Sequence, residues 1–268
     1  MDSHTLAPSG AFATALIPVV SGDGLVARQP APQNPAEVLA NLMDFPGSVA
    51  LADLLQGSLP PVPVHPDAES LGDRLLLDAQ ARLDTLEPLV LKPLTGRRSP
   101  EVPAPHELLH TVLRHGLDTD RGEHVAHRIA DDLGAPFRSA LGLSLRQAQA
   151  HVATLRWEIT HDLRNLGPRA DQLERLDAAL SRAMQGKIGE LLDRMEHAAH
   201  LTFVRACLHA VDALPDTLDE VCLAHWSAED GWLTRYRERC VRMAKALFGH
   251  LRRSLEGLMR AATLSEDS

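Results

Sequence analysis

The sequence predicts an all-α protein. Three observations carry that prediction. Apolar residues recur at steps of three and four from Phe137 to Ala262, the period of one helix face. No alternating apolar and polar run offers a strand in that half. Aromatic residues make up only 3% of the 268, so Leu and Ala supply most of the core, and both lose little freedom in helices.

Residues 1–34 carry Pro8, Gly10, Pro18, Gly22, Gly24, Pro30 and Pro32 without a sustained period, and are expected to be disordered. Asn34 and Pro35 suit the cap and first position of a short helix bearing Val38, Leu39, Leu42 and Met43. Pro46 and Gly47 break it, and Ser48 can cap a second with Val49, Leu51, Leu54 and Leu55. The prolines between Leu59 and Pro66 make a stiff linker. Asp67 to Leu89 reads as a helix with an acidic start, which complements the helix dipole. Its stripe is Leu71, Leu75, Leu76, Ala79, Leu83 and Leu86, and Pro88 and Pro93 are expected to end it. A second linker covers Thr95 to Pro105. His106 to His115 forms a short helix stopped by Gly116. Asp118 or Thr119 can cap the next, which runs to Leu133 before Gly134 and Pro136.

Three long helices follow. The first spans Phe137 to Leu166, with Leu141, Leu145, Ala148, Val152, Leu155, Ile159 and Leu163 on one face. Gly167 and Pro168 stop it. The second spans Arg169 to Ala213, with Gly186 and Gly189 as candidate kinks, and a short helix to Ala224 comes next. The last spans Asp230 to Ala262 along Leu233, Tyr236, Cys240, Met243, Leu247, Leu251, Leu255 and Leu258. Such helices suit an antiparallel helical bundle or a coiled-coil-like hairpin. The organisation read from the chain is a disordered segment (1–34), a small helical region (35–135) and a long-helix bundle (136–268). Helices this thinly apolar are expected to have part of a seam covered by a partner or by a second copy, which makes a homo-oligomer an expectation.

Net charge is −9, which argues against a nucleic-acid partner. From Asp230 to Ala262, however, eight Arg or Lys face three Asp or Glu. Arg235, Arg239, Arg242 and Lys245, beside Trp232 at the helix start, form the expected surface for an acidic protein partner. Cys207, Cys222 and Cys240 show no paired spacing and are expected to be buried free thiols in a reducing cytoplasm. The apolar run Ala11 to Val20 is broken by Pro18 and is too short to span a bilayer. No phosphate-binding loop, nucleophile elbow or calcium loop is present, and no cofactor is expected.

One string suggests chemistry. His106-Glu107-Leu108-Leu109-His110 places two imidazoles one turn apart with a carboxylate beside them. Zinc hydrolases use that geometry, with the Glu as general base toward metal-bound water. Pro105 puts His106 in the first helical turn, no sheet edge is expected beside it, and no further His follows at the spacing of the long zinc motif. Glu123, His124 and His127 are the nearest candidates to complete a site.

Three stretches resemble an uncharacterised, mainly proteobacterial family of unknown function. The first is Leu39-Ala40-Asn41-Leu42-Met43-Asp44-Phe45 through Val49-Ala50-Leu51-Ala52-Asp53-Leu54-Leu55. The second is Leu155-Arg156-Trp157-Glu158-Ile159 with Leu173-Glu174-Arg175-Leu176-Asp177-Ala178-Ala179-Leu180. The third is Gly231-Trp232-Leu233-Thr234-Arg235-Tyr236 through Leu251, Gly257, Leu258 and Ala261. The resemblance implies a cytoplasmic accessory of an envelope-associated complex, since members of that family lie beside OmpA-like, peptidoglycan-binding proteins. It implies no catalytic residues. The expected function is therefore non-enzymatic helix-mediated protein association, with the zinc hydrolase as the competing reading.

Overall fold

The computed structural model describes residues 66–117, 122–164 and 166–263. Among them the regular structure is entirely helical: α1 (Ala68–Thr95), α2 (Pro105–Arg114), α3 (Glu123–Leu163), α4 (Pro168–Asp212), α5 (Glu220–Ser227) and α6 (Trp232–Thr263). No strand occurs among the described residues. The expected disordered start and the short helices over Pro35–Met43 and Ser48–Leu55 lie outside them.

Packing sorts the described residues into two units. One comprises 66–88, 148–191 and 246–263; the other comprises 89–147 and 192–245. The first unit gathers parts of α1, α3, α4 and α6 around Leu83, Leu155, Ile159, Leu163, Phe248, Leu255 and Met259, all buried. Arginines tie its helices together. Arg82 pairs with Glu158, Arg156 with Asp177, Arg164 with Glu174 at 2.6 Å, and Arg252 with Asp84 at 2.5 Å. Because Arg156 meets Asp177 while Arg164 meets Glu174, α3 and α4 run antiparallel.

The second unit is organised by an aromatic cluster. Phe203 on α4 stands 6.2 Å from Phe137 on α3, 4.7 Å from Tyr236 and 5.1 Å from Trp232 on α6. Trp226 on α5 continues the cluster at 5.5 Å from Trp232. Most of these rings meet edge to face, the arrangement their quadrupoles favour. The small residue Gly134 admits Phe203, since a Cβ there would lie 3.0 Å from the ring. The turn before α6 needs Gly231, where a Cβ would collide with the Trp226 carbonyl. The short helix α2 packs against α5. It ends in a Schellman turn: Gly116 adopts φ 80°, its N–H donates to the Leu113 carbonyl (2.9 Å), and the Leu117 N–H donates to the Val112 carbonyl (3.1 Å).

Three prolines expected to break helices do not. Pro88 and Pro93 lie inside α1, and Pro136 inside α3. The apolar stripe stays in phase across each one. Leu83 precedes and Val90, Leu91 and Leu94 follow in α1, while Leu133 and Phe137 flank Pro136, and all are buried. The carbonyls that lose their helical donor belong to Asp84, Leu89 and Asp132, all exposed residues, so water can serve them. In-phase burial offsets a proline cost of about 3 kcal/mol. The two helices expected on either side of Gly134 are consequently one helix. Gly186 and Gly189 likewise leave α4 continuous.

Phe203 touches three aromatic side chains from two neighbouring helices. Phe203→Ala should cost about 3–5 kcal/mol in urea unfolding, the range for a large cavity in a packed core. A loss below about 1 kcal/mol would show that the cluster does not hold this unit together.

Candidate interaction surface

The start of α6 sets the rotation of the whole helix. Leu233, Tyr236, Cys240 and Met243 are buried in succession, one per turn. Thr234 Oγ1 donates to the Ala228 carbonyl at 2.8 Å and fixes the first turn. With that side inward, the opposite side must carry Arg235, Arg242 and Lys245 to solvent, and all three are exposed. Arg239 is half-buried. Arg242 lies 3.7 Å from Glu238 one turn earlier, a pair exposed on both sides and therefore weak. Trp232 is also half-buried and engages Phe203 and Trp226 edge-on. It anchors the helix end, and the face beyond it is cationic rather than aromatic.

The His-Glu-x-x-His string lies on α2, where His106, Glu107 and His110 are exposed. The carboxylate already has a structural role. The Ala104 N–H donates to Glu107 Oε2 at 2.8 Å, which supplies the acceptor half of a capping box. Ala104 has no side-chain oxygen to return the second bond, so only that half forms. His115 Nε2 lies 3.2 Å from Asp132, which also takes Arg114. His127 sits 3.4 Å from Glu123. Among the described residues no group of three or more His, Cys, Asp or Glu is placed to hold a metal ion.

Burial favours the neutral forms of Cys207, Cys240, Tyr236, His200 and His250. Burial pushes the Cys207 thiol up to about 12 and the Cys240 thiol to about 11, so neither is a nucleophile at neutral pH. Tyr236 is raised by burial as well, and its hydroxyl donates to the Ala199 carbonyl at 3.3 Å. Cys222 departs from the expected burial: it is half-buried at the start of α5, where its N–H donates to Asp219 Oδ1 at 2.8 Å. Burial, with the neighbouring Arg253 charge, lowers His250 to about 4. His200 is lowered by burial first and by Arg138 second.

No protein-family model matches this chain, and neither a curated protein nor a solved structure matches it.

Sequence reasoning did not single out Trp157 as a surface residue. It is 69% exposed on α3. The available signal was phase, since it lies two residues off both Leu155 and Ile159, which face the core.

Two predictions follow from these local geometries. Glu107→Ala removes the acceptor at the α2 start and should cost roughly 0.5–1 kcal/mol, with faster hydrogen exchange at the Ala104 amide. An unchanged exchange rate would show that this bond is not formed in solution. For His250 the folded-state pKa lies below the unfolded one, so the folded state disfavours the proton. Its contribution to stability is complete above about pH 6.5 and is lost as pH falls toward about 4. Unfolding midpoints measured from neutral pH to pH 4 should fall less steeply in His250→Gln than in the parent, and parallel curves would count against burial as the cause.

Proposed function

We propose that this chain is a non-enzymatic helical protein that binds an acidic protein partner through the exposed basic face of α6. One observation carries the reading: Arg235, Arg242 and Lys245 recur on one solvent face of a chain whose net charge is −9. Spacings of seven and three residues keep the three on one side over about three turns, about 15 Å of helix. An acidic helix or extended acidic segment presents carboxylates at a matching pitch. The contrast with the overall charge matters for selection. A large polyanion such as nucleic acid is repelled by the molecule as a whole, whereas a compact acidic patch meets mainly the local field within the Debye length of about 8 Å.

The resemblance of three stretches to an envelope-associated family supports placing the partner in an envelope-associated assembly. No helix among the described residues is long and apolar enough to cross a membrane, so attachment there is proposed to run through protein docking. Exposed cations contribute little to stability, so the surface can be altered without loss of fold.

The test is charge reversal at Arg235, Arg242 and Lys245 together, leaving half-buried Arg239 in place. A photoreactive residue at Glu238, exposed on the same face, should in living cells cross-link to a partner in the parent and lose most of that yield in the variant. Thermal unfolding should move by no more than a few degrees. Cross-linking that survives the reversal with unchanged yield would remove α6 as the docking surface.

A further inference from the structure

The outward face of α3 within the first unit carries no exposed charged side chain over about four turns. Between Ala148 and His161 the exposed residues are Ala150, His151, Ala153, Thr154, Trp157 and His161. None is Asp, Glu, Lys or Arg, although charged residues make up 24% of the chain. The charged residues within this span, Arg156 and Glu158, turn aside to pair with Asp177 and Arg82. Trp157 stands out from the middle of the face, 69% exposed. Its ring stacks on His161 one turn later, with centroids 5.8 Å apart and planes 18° from parallel. A stacked ring is partly ordered before any partner arrives, so less conformational entropy is lost on binding. Charge depletion around an aromatic residue is the composition of an interface centre.

We infer that this face pairs with the same face of a second copy of the chain, α3 against α3 in antiparallel sense, with Trp157 of each copy seated over Ala150 and Ala153 of the other. The face is self-complementary. A two-fold interface needs protrusion and hollow on one surface. Here the indole and the small side chains lie one and two turns apart on one line of one helix. A two-fold axis between positions 153 and 154 superposes them reciprocally. Two molecules of net charge −9 repel, and an uncharged face lets them touch without like charges in direct contact. The span is about four turns of helix, less than the about 800 Å² per partner of a standard interface. The dimer is therefore weak and concentration-dependent. This inference stands apart from the α6 reading, since the two faces use different helices.

The experiment is sedimentation equilibrium of the full chain from low micromolar to several hundred micromolar. The parent should shift from monomer toward dimer. Trp157→Asp should weaken the dimer at least about tenfold, while Leu113→Asp on exposed α2 and the α6 charge reversal should leave it unchanged. In parallel, Ala153→Cys should give a disulfide-linked dimer under mild oxidation that the parent does not give, because the axis brings the two copies of this position together. A monomer at every concentration, or a dimer that Trp157→Asp leaves intact, overturns the inference.

Discussion

The packing of Phe137, Phe203, Tyr236, Trp232 and Trp226 is the constraint on which the second unit depends. The chain has nine aromatic residues, and five of them meet here, contributed by α3, α4, α5 and α6. Elsewhere the core is mostly Leu, Ala and Val, whose similar shapes would tolerate sliding of one helix along another. Large rings in edge-to-face contact do not tolerate it, because a one-turn shift of α3 or α4 would replace Phe137 by Leu133 or Leu141, and Phe203 by Ala199 or Cys207. The cluster is therefore what sets the register of α3, α4 and α6. It has a cost: the indole nitrogens of Trp226 and Trp232 are buried without an acceptor among the described residues. Each such group costs about 1–3 kcal/mol, comparable to what burying one large ring returns. The five rings together return more than those two groups cost, and register is a gain beyond stability.

That register determines what α6 shows to solvent. With Tyr236 and Cys240 committed to the interior, rotation of the helix is no longer free, and the cations at 235, 242 and 245 have one place to go. The same logic governs α3. Its buried line runs through Leu141, Leu145, Ala148, Val152, Leu155 and Ile159, so Trp157 must point outward however apolar it is.

The fold was legible in the sequence to the extent that apolar period alone specifies it. The stop at Gly167 and Pro168, the span of α4 and the seam of α6 follow from steps of three and four. Pro88, Pro93 and Pro136 are the departures, because local propensity predicts a break where the phase continues. A proline removes one donor and imposes a steric clash, but the stripe on either side continues, and burial of the flanking Leu and Phe residues prevails. The sequence does not reveal which carbonyls face water, and that exposure is what makes the cost tolerable. The candidate surface was partly legible. Arg235, Arg242 and Lys245 lie where the heptad-like seam leaves them, but Arg239 is half-buried, and Trp232 is drawn inward by rings on other helices that one helix's sequence does not contain. Glu107 is a clearer case. In sequence it is a general base beside two histidines; in space its carboxylate sits over the Ala104 amide, because position three of a helix is where a Glu can reach back.

The arginines that bridge helices differ in what they meet from the cations displayed on α6. Arg82, Arg114, Arg146, Arg156, Arg164 and Arg252 each reach a carboxylate on another helix. The planar guanidinium suits such bridging, and Asp177 and Glu174 are themselves 8% exposed, so these pairs are partly shielded and help specify which helices are neighbours. Arg235 and Lys245 meet no carboxylate among the described residues. An Arg-rich composition alone does not distinguish bridging from display. Geometry does: cations spent on internal carboxylates cannot recruit a partner, whereas those on the outward side of α6 retain their field for one. The two proposed contact faces thus lie where helix packing leaves cations displayed on α6 and, on α3, where it leaves an aromatic ring uncovered.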